Sequence, residues 1–225
     1  MRVRSLLVPF VLVPALSIAL FSTTLANGAG TQAEVPEGAT SCAFNAWTNN
    51  DKALIEVRAA PSADAQLVGQ IPTVSAAGEA EYAYSISFDV LEAKDGWLKI
   101  ANASDAYNEE SDDYVPREVY KGEGWIKSDE ARVGIQSARG FLKPDPQSER
   151  LLDIGSDWLT EMGRINNILA CNEDWVLLDY TVLHKRMASE ELVELASDEQ
   201  LAGRAWFRGL CSNAETTCDM KSVDQ

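Results

Sequence analysis

The chain has 225 residues, 35 Asp and Glu against 19 Lys and Arg, a net charge of −16 and a single histidine. So acidic a balance excludes general electrostatic attraction to nucleic acid or to an anionic membrane. Apolar residues make up 46% and include six Trp, which excludes an intrinsically disordered chain.

At the N-terminus, Arg2 and Arg4 precede an apolar run from Leu6 to Phe21, and Ser22-Thr23-Thr24-Leu25-Ala26 follow it. A charged start, an apolar middle and small residues at −3 and −1 predict a signal peptide over 1–26, cut before Asn27. An uncleaved anchor is the alternative, but a span needs about 20 apolar residues. This run is shorter and contains Pro9 and Pro14. No Cys follows it closely, which argues against a lipid anchor. Cleavage removes two Arg and no acid, so the net charge falls from −16 to −18. The expected product is exported, periplasmic or secreted, with no membrane attachment after cleavage.

Residues 27–52 read as an N-terminal arm, with Phe44 and Trp47 packing beside Cys42. The other cysteines are Cys171, Cys211 and Cys218. An even count in an exported chain reads as disulfides, and four cysteines allow three pairings. Cys211 and Cys218 bracket a turn-like stretch, so that pair is favoured, leaving Cys42 with Cys171. A metal site would compete for these thiols, but C-x-x-C spacing is absent and one His remains. No metal and no cofactor is expected.

Beyond the arm, Val57-Arg58-Ala59-Ala60-Pro61-Ser62 forms a Pro-containing turn. Tyr84, Ile86, Phe88 and Val90 alternate with Ser85, Ser87 and Asp89, the period of a half-buried strand. Lys94-Asp95-Gly96 then turns into Trp97-Leu98-Lys99-Ile100, a hairpin signal. An acidic, aromatic insertion follows from Ala101 to Gly124, ending in Gly124-Trp125-Ile126-Lys127. The stretch from Asp105 to Tyr114 does not match a calcium-loop spacing. It reads either as a solvated loop or as a docking surface for amine-bearing peptides.

The second half repeats these landmarks in order. Gly140-Phe141-Leu142-Lys143-Pro144-Asp145 is the turn. Residues 166–178 align with 88–100 on Trp175 and Trp97, and Asn172-Glu173-Asp174 is the second hairpin turn. An insertion from Asp179 to Ala205 follows, containing His184 and a short helix over Ser189–Leu195 with Ser189 as its cap. Ala205-Trp206-Phe207-Arg208 ends the copy. Three landmarks in one order, with insertions at matching points, indicate a duplication.

The first copy, with Val68-Gly69-Gln70-Ile71-Pro72 between its turn and hairpin, resembles the bacterial SH3 (SH3b) domain. That family's pattern is V-R-x-x-P-S, an apolar strand, D-G-W-x-x-V and G-W-V. The second copy lacks the V-R-x-x-P-S match and has Asp174 where Gly96 stands. The resemblance implies an all-β chain of two tandem SH3-like small β-barrels with inserted loops. Barrel 1 spans 53–130 and barrel 2 spans 131–225. The family also implies a binding role, in several members toward peptidoglycan or its peptides.

Trp97 and Trp175 are expected to fill the barrel cores. Trp125 and Trp206 serve either as core or as one wall of a groove. The expected ligand-contacting set is Tyr107, Asp112, Asp113, Tyr114, Tyr120, Trp125, Trp206 and Phe207. No catalytic residue is expected: His184 is the sole histidine, and hydrolase and nucleotide-binding motifs are absent. The functional expectation is an exported, non-enzymatic binding module for cell-wall peptide or an envelope protein. The alternative is a structural or inhibitory partner of an envelope enzyme.

Overall fold

A computed structural model describes residues 31–74, 85–105, 116–155, 158–183, 202–211 and 224. The signal peptide, Tyr107, Asp112, Asp113, Tyr114, His184, the helix over 189–195 and Cys218 lie outside the described residues.

Among the described residues, the regular structure consists almost wholly of antiparallel strands. In the first half these are β1 (Thr40–Thr48), β2 (Leu54–Arg58), β3 (Leu67–Pro72), β4 (Ser87–Lys94), β5 (Trp97–Asp105), β6 (Arg117–Tyr120), β7 (Gly124–Lys127) and β8 (Ala131–Arg132). The second half has β9 (Gly134–Ile135), β10 (Arg139–Phe141), β11 (Arg150–Asp153), β12 (Gly163–Asn172), β13 (Trp175–Val182), β14 (Ala202–Phe207) and β15 (Leu210–Cys211). A 3-10 turn, Ser128–Glu130, precedes β8, and a one-turn helix, Leu159–Met162, precedes β12.

The first sheet runs β3-β2-β7-β5-β4-β1-β8, with β6 added to β5. The second runs β11-β10-β14-β13-β12, and β15 pairs with β9 separately. With β2, β3, β4, β5 and β7 set against β10 to β14, the two orders are the same. The short β15–β9 pair stands where β8 meets the end of β1. Among the described residues neither ladder closes on itself, so the described fold is all-β without a hydrogen-bonded closed barrel. Residues 40–48, expected as a packing arm, form an inner strand instead, between β4 and β8.

The duplication extends to individual hydrogen bonds. Ala59 N–H donates to Gln66 O, Ser62 to Ala60 and Ala65 to Ser62; Leu142 donates to Glu149, Asp145 to Lys143 and Ser148 to Asp145. Both Pro turns are therefore the same turn, and the rings of Pro61 and Pro144 fix φ at the same point in each. Both central hairpins have two-residue loops, 95–96 and 173–174. Asp95 and Gly96 have φ of 49° and 78°, as such a tight turn requires, and Glu173 has 54°. Register shifts fall at matching places, between Val90 and Glu92 and between Ile168 and Ala170.

Alternation decides what the hairpins bury. Leu98 and Ile100 point inward with no exposed surface, as do Val176 and Leu178. Trp97 and Trp175 therefore point to the outer faces: Trp97 is half-buried, and Trp175 belongs to a separate outer cluster. The expectation of a core position is corrected for Trp97, whereas Trp175 is buried, in a second hydrophobic cluster and not in the core shared by the two halves. The inner faces of both halves join one core that includes Ile55, Phe88, Ile126, Leu152, Tyr180 and Phe207.

The halves are also linked covalently. Cys42 on β1 and Cys171 on β12 form a disulfide with Cα atoms 5.3 Å apart. Beside it, Cys171 N–H donates to Thr40 Oγ1 at 2.9 Å. Ser128 Oγ lies 3.0 Å from Asn167 Oδ1 across the same seam. Cys211 is disulfide-bonded too; Cys218, its expected partner, lies outside the described residues.

The two outer faces differ. In the second half, Phe141, Ala170, Trp175, Leu177 and Trp206 form an apolar patch covered by Ala33, with Val35 packed against it. Ala33 N–H donates to Arg204 O at 2.9 Å, and Arg204 Nε donates to Gln32 Oε1 at 3.2 Å. In the first half the matching positions hold Arg58, Glu92, Trp97, Lys99 and Trp125.

Candidate functional site: the cleft between the halves

The described members of the expected contact set do not converge. Tyr120 and Trp125 belong to the first half, Trp206 and Phe207 to the second. Phe207 is fully buried and meets the Tyr180 ring edge-on, with centroids 5.5 Å apart. It offers no surface to a ligand. Trp206 is 5% exposed and lies in the patch covered by Ala33, while Trp125 is 8% exposed. Tyr120 is half-buried, and its hydroxyl donates to Glu123 O at 3.2 Å. Its ring occupies the space above Gly69 and Gly122, where any Cβ would collide with it. Burial raises the Tyr120 pKa above its ordinary 10.0.

A cleft of about 650 Å³ opens elsewhere, where the two halves meet. The end of β1 and the following loop supply Trp47, Asn49, Asp51 and Lys52. The 3-10 turn and β8 supply Asp129, Glu130 and Arg132, and the second half supplies Thr160, Arg164 and Asn166. Aromatic and apolar surface comes from Trp47, Ile55, Val133 and Ile165. Three basic and three acidic side chains thus face one another in a protein of net charge −16.

Most of these charges are held in place. Lys52 Nζ lies 2.6 Å from Glu130 Oε1, while Glu130 Oε2 accepts the Lys127 N–H at 3.2 Å. The Glu130 hydrogen bond raises the Lys52 pKa above 10.5, against a smaller opposing effect of burial. Asn49 is the hub: its Nδ2 donates to Asp51 Oδ2 at 2.9 Å and to Asp129 O at 3.0 Å. Its Oδ1 accepts from Arg132 Nε at 3.1 Å and Nη2 at 2.8 Å. Thr160 Oγ1 accepts the Ile135 N–H at 2.6 Å and donates to Ile135 O at 3.2 Å, pinning that lip. Asp129 and Arg164 are exposed on opposite sides of the seam.

Chemically, this arrangement is suited to holding a ligand that carries both carboxylate and amine groups around an apolar body. Among the described residues, no group of three or more His, Cys, Asp or Glu side chains could hold a metal ion. No described helix is long and apolar enough to cross a membrane.

The quoted motifs do not point to this cleft, because its residues come from separate stretches of both halves that only the folded chain brings together. Only Trp47 gave a sequence signal, as an aromatic close to Cys42. Set against family models, curated proteins and solved structures, the chain matches none.

Proposed function

We infer that the protein is an exported, non-enzymatic binding module made of two SH3-like repeats, and that the cleft between them recognises cell-wall peptide. The observation carrying this reading is the charge-balanced, Trp-lined cleft in an otherwise strongly acidic chain. Wall peptides present amines and carboxylates on a short apolar framework, and both kinds of group find a counter-charge here. Prearranged polar groups also lower the ordering cost of binding. The shared strand order, the matched Pro turns and the bacterial SH3-like motifs support the repeat assignment. The Cys42–Cys171 bond suits an oxidising compartment.

The test is retention of the disulfide-intact mature chain on purified peptidoglycan, with envelope proteins offered in parallel. Arg164→Glu should weaken retention about tenfold or more, the scale of losing one charge-assisted contact. Folded wild-type protein that is retained on neither material would remove the reading.

A further inference from the structure

The covered outer face of the second half carries an inference that stands apart from the ligand of the cleft. Its apolar patch is closed by a short strap, residues 31–36, that reaches it from the N-terminal side. Ala33 has no exposed surface there, and Val35 packs beside it. Around them lie the Phe141 and Trp175 rings, edge-on with centroids 5.5 Å apart. Arg208 stacks on Trp175 at 5.5 Å. Only the Ala33 backbone bond and the Gln32 side chain add polar contacts at these two residues.

Three features make this strap separable from the rest of the fold. It lies before Cys42, so releasing it leaves the Cys42–Cys171 bond and every strand in place. Residues 37–39, which join it to β1, are exposed. Within them Gly38 has φ of +84°, with nothing within 4 Å of a Cβ built there. The link therefore turns at a residue chosen for backbone conformation, not for packing.

We propose that this face is an acceptor site for the strap of a second copy, and that two chains exchange residues 31–36 reciprocally. The exchanged strap makes the same contacts as the resident one, because the two segments are identical. What separates the forms is the link and the concentration. In the closed monomer the link must turn at Gly38; in the exchanged pair it runs on toward the neighbour and the turn is released. An intramolecular strap acts at an effective concentration of about millimolar, so the wild type is monomeric when dilute. Reciprocal exchange closes a two-fold dimer instead of growing a chain.

The experiment compares full-length, disulfide-intact proteins by light scattering. Gly38→Val strains the turn without touching the patch. It should lower the dimer dissociation constant about tenfold or more, since a strained left-handed residue costs on the order of that factor. Adding Ala33→Arg puts a charge at a fully buried position and should return the Gly38→Val protein to monomer. A Gly38→Val protein that stays monomeric at about millimolar concentration overturns the proposal. So does a dimer that survives Ala33→Arg. A variant-free measurement backs both. Isotope-heavy and light wild-type chains, mixed and chemically cross-linked at about millimolar concentration before mass analysis, should give mixed dimers, and none forming counts equally against exchange.

Discussion

The two halves share a strand order but are completed in opposite ways. The first supplies its own parts. Its outer face is wetted by Glu92, Lys99 and Glu123, with Lys99 Nζ at 3.3 Å and 2.9 Å from the two carboxylates. Beside Trp97, the local Glu130 carboxylate takes Lys52 and the Lys127 N–H. The second half imports the corresponding parts from the two ends of the chain. Residues 32–35 cover its outer face, and Asp224 supplies the carboxylate. Asp224 accepts from Ser137 Oγ at 2.5 Å and from Arg208 Nε at 2.6 Å. Arg208 occupies the place of Lys127. The two halves thus share one strand order while the source of the finishing contacts differs, local in the first and distant in the second.

The largest expected effect tests whether the halves are separable at all. The Cys42–Cys171 bond spans 129 residues. In the chain-entropy account, closing a loop of that length contributes about 5 kcal/mol. The Cys42→Ala/Cys171→Ala double variant should lose about that much in urea unfolding. Two transitions would show that the bond holds together halves of unequal stability. A single transition would show that the continuous core already couples them.

Exchanging outer-face residues sharpens the contrast next. Lys99 pairs with Trp125 as Leu177 pairs with Trp206, so the two positions correspond. Leu177 is fully buried under the strap patch, and Leu177→Lys places an ammonium there at a cost of about 3 kcal/mol or more. Lys99→Leu breaks only solvent-screened pairs and should cost under about 1 kcal/mol. Denaturation midpoints of the two variants decide it. Equal losses would mean that the faces are not finished differently.

The sequence made the repeat legible where structure is local. The Ile86, Phe88, Val90 alternation lies on β4 and runs just ahead of it. The pairing of residues 88–100 with 166–178 coincides with the ladder register, including both hairpin turns. What escaped was set by distant partners. Trp175-Val176-Leu177-Leu178 reads as a continuous apolar run because it is buried on both faces. Nothing near it names residues 32–35 as its cover. Strand alternation sends both Trp97 and Trp175 to outer faces, where Trp97 stays half-buried while Trp175 is buried in the cluster that Ala33 joins. The cleft residues come from the ends of β1, β8 and β12 and from the turns between strands, and no single stretch of sequence joins them.

A smaller effect comes from a compensated pair at the seam of each sheet. In the first half, a Cβ on Gly124 would collide with Val57 and come within 3.1 Å of Arg58 O. The corresponding pair in the second half is Gly140 and Ala205. A Cβ on Gly140 would lie 2.8 Å from the Ala205 Cβ and 2.7 Å from Phe207 Cζ. The space is the same, and the side chain that fills it has changed strands. Gly124→Ala should cost about 1–3 kcal/mol by overpacking. Adding Val57→Gly imports the second half's solution. The double variant should then be more stable than the sum of the single losses by about 1 kcal/mol. Simple additivity in that cycle would break the claim that the two seams are alternative packings of one site.

The smallest effect is alkaline, and it belongs to the first half. Three described groups there have raised pKa values: Lys52 through its Glu130 hydrogen bond, Lys99 through Glu123 and then Glu92, and Tyr120 through burial. The sign is the same for all three, because the folded chain binds their protons more tightly than the unfolded chain does. Their contribution is therefore complete below the ordinary values of 10.0 for Tyr and 10.5 for Lys, and is lost as pH rises through the higher folded values. Lys52 is exposed, and half-buried Lys99 pairs with carboxylates that are themselves open to solvent, so screening should keep the loss under about 1 kcal/mol. Urea midpoints measured from neutral pH into this alkaline range should fall only above pH 10.0. Tyr120→Phe should flatten the part of the fall that begins there, since a phenyl ring keeps the contact over Gly69 and has no proton to release. If the variant falls as steeply as the wild type, the Tyr120 phenol is not the buried titrating group of the first half, and the alkaline contrast rests on the lysines alone.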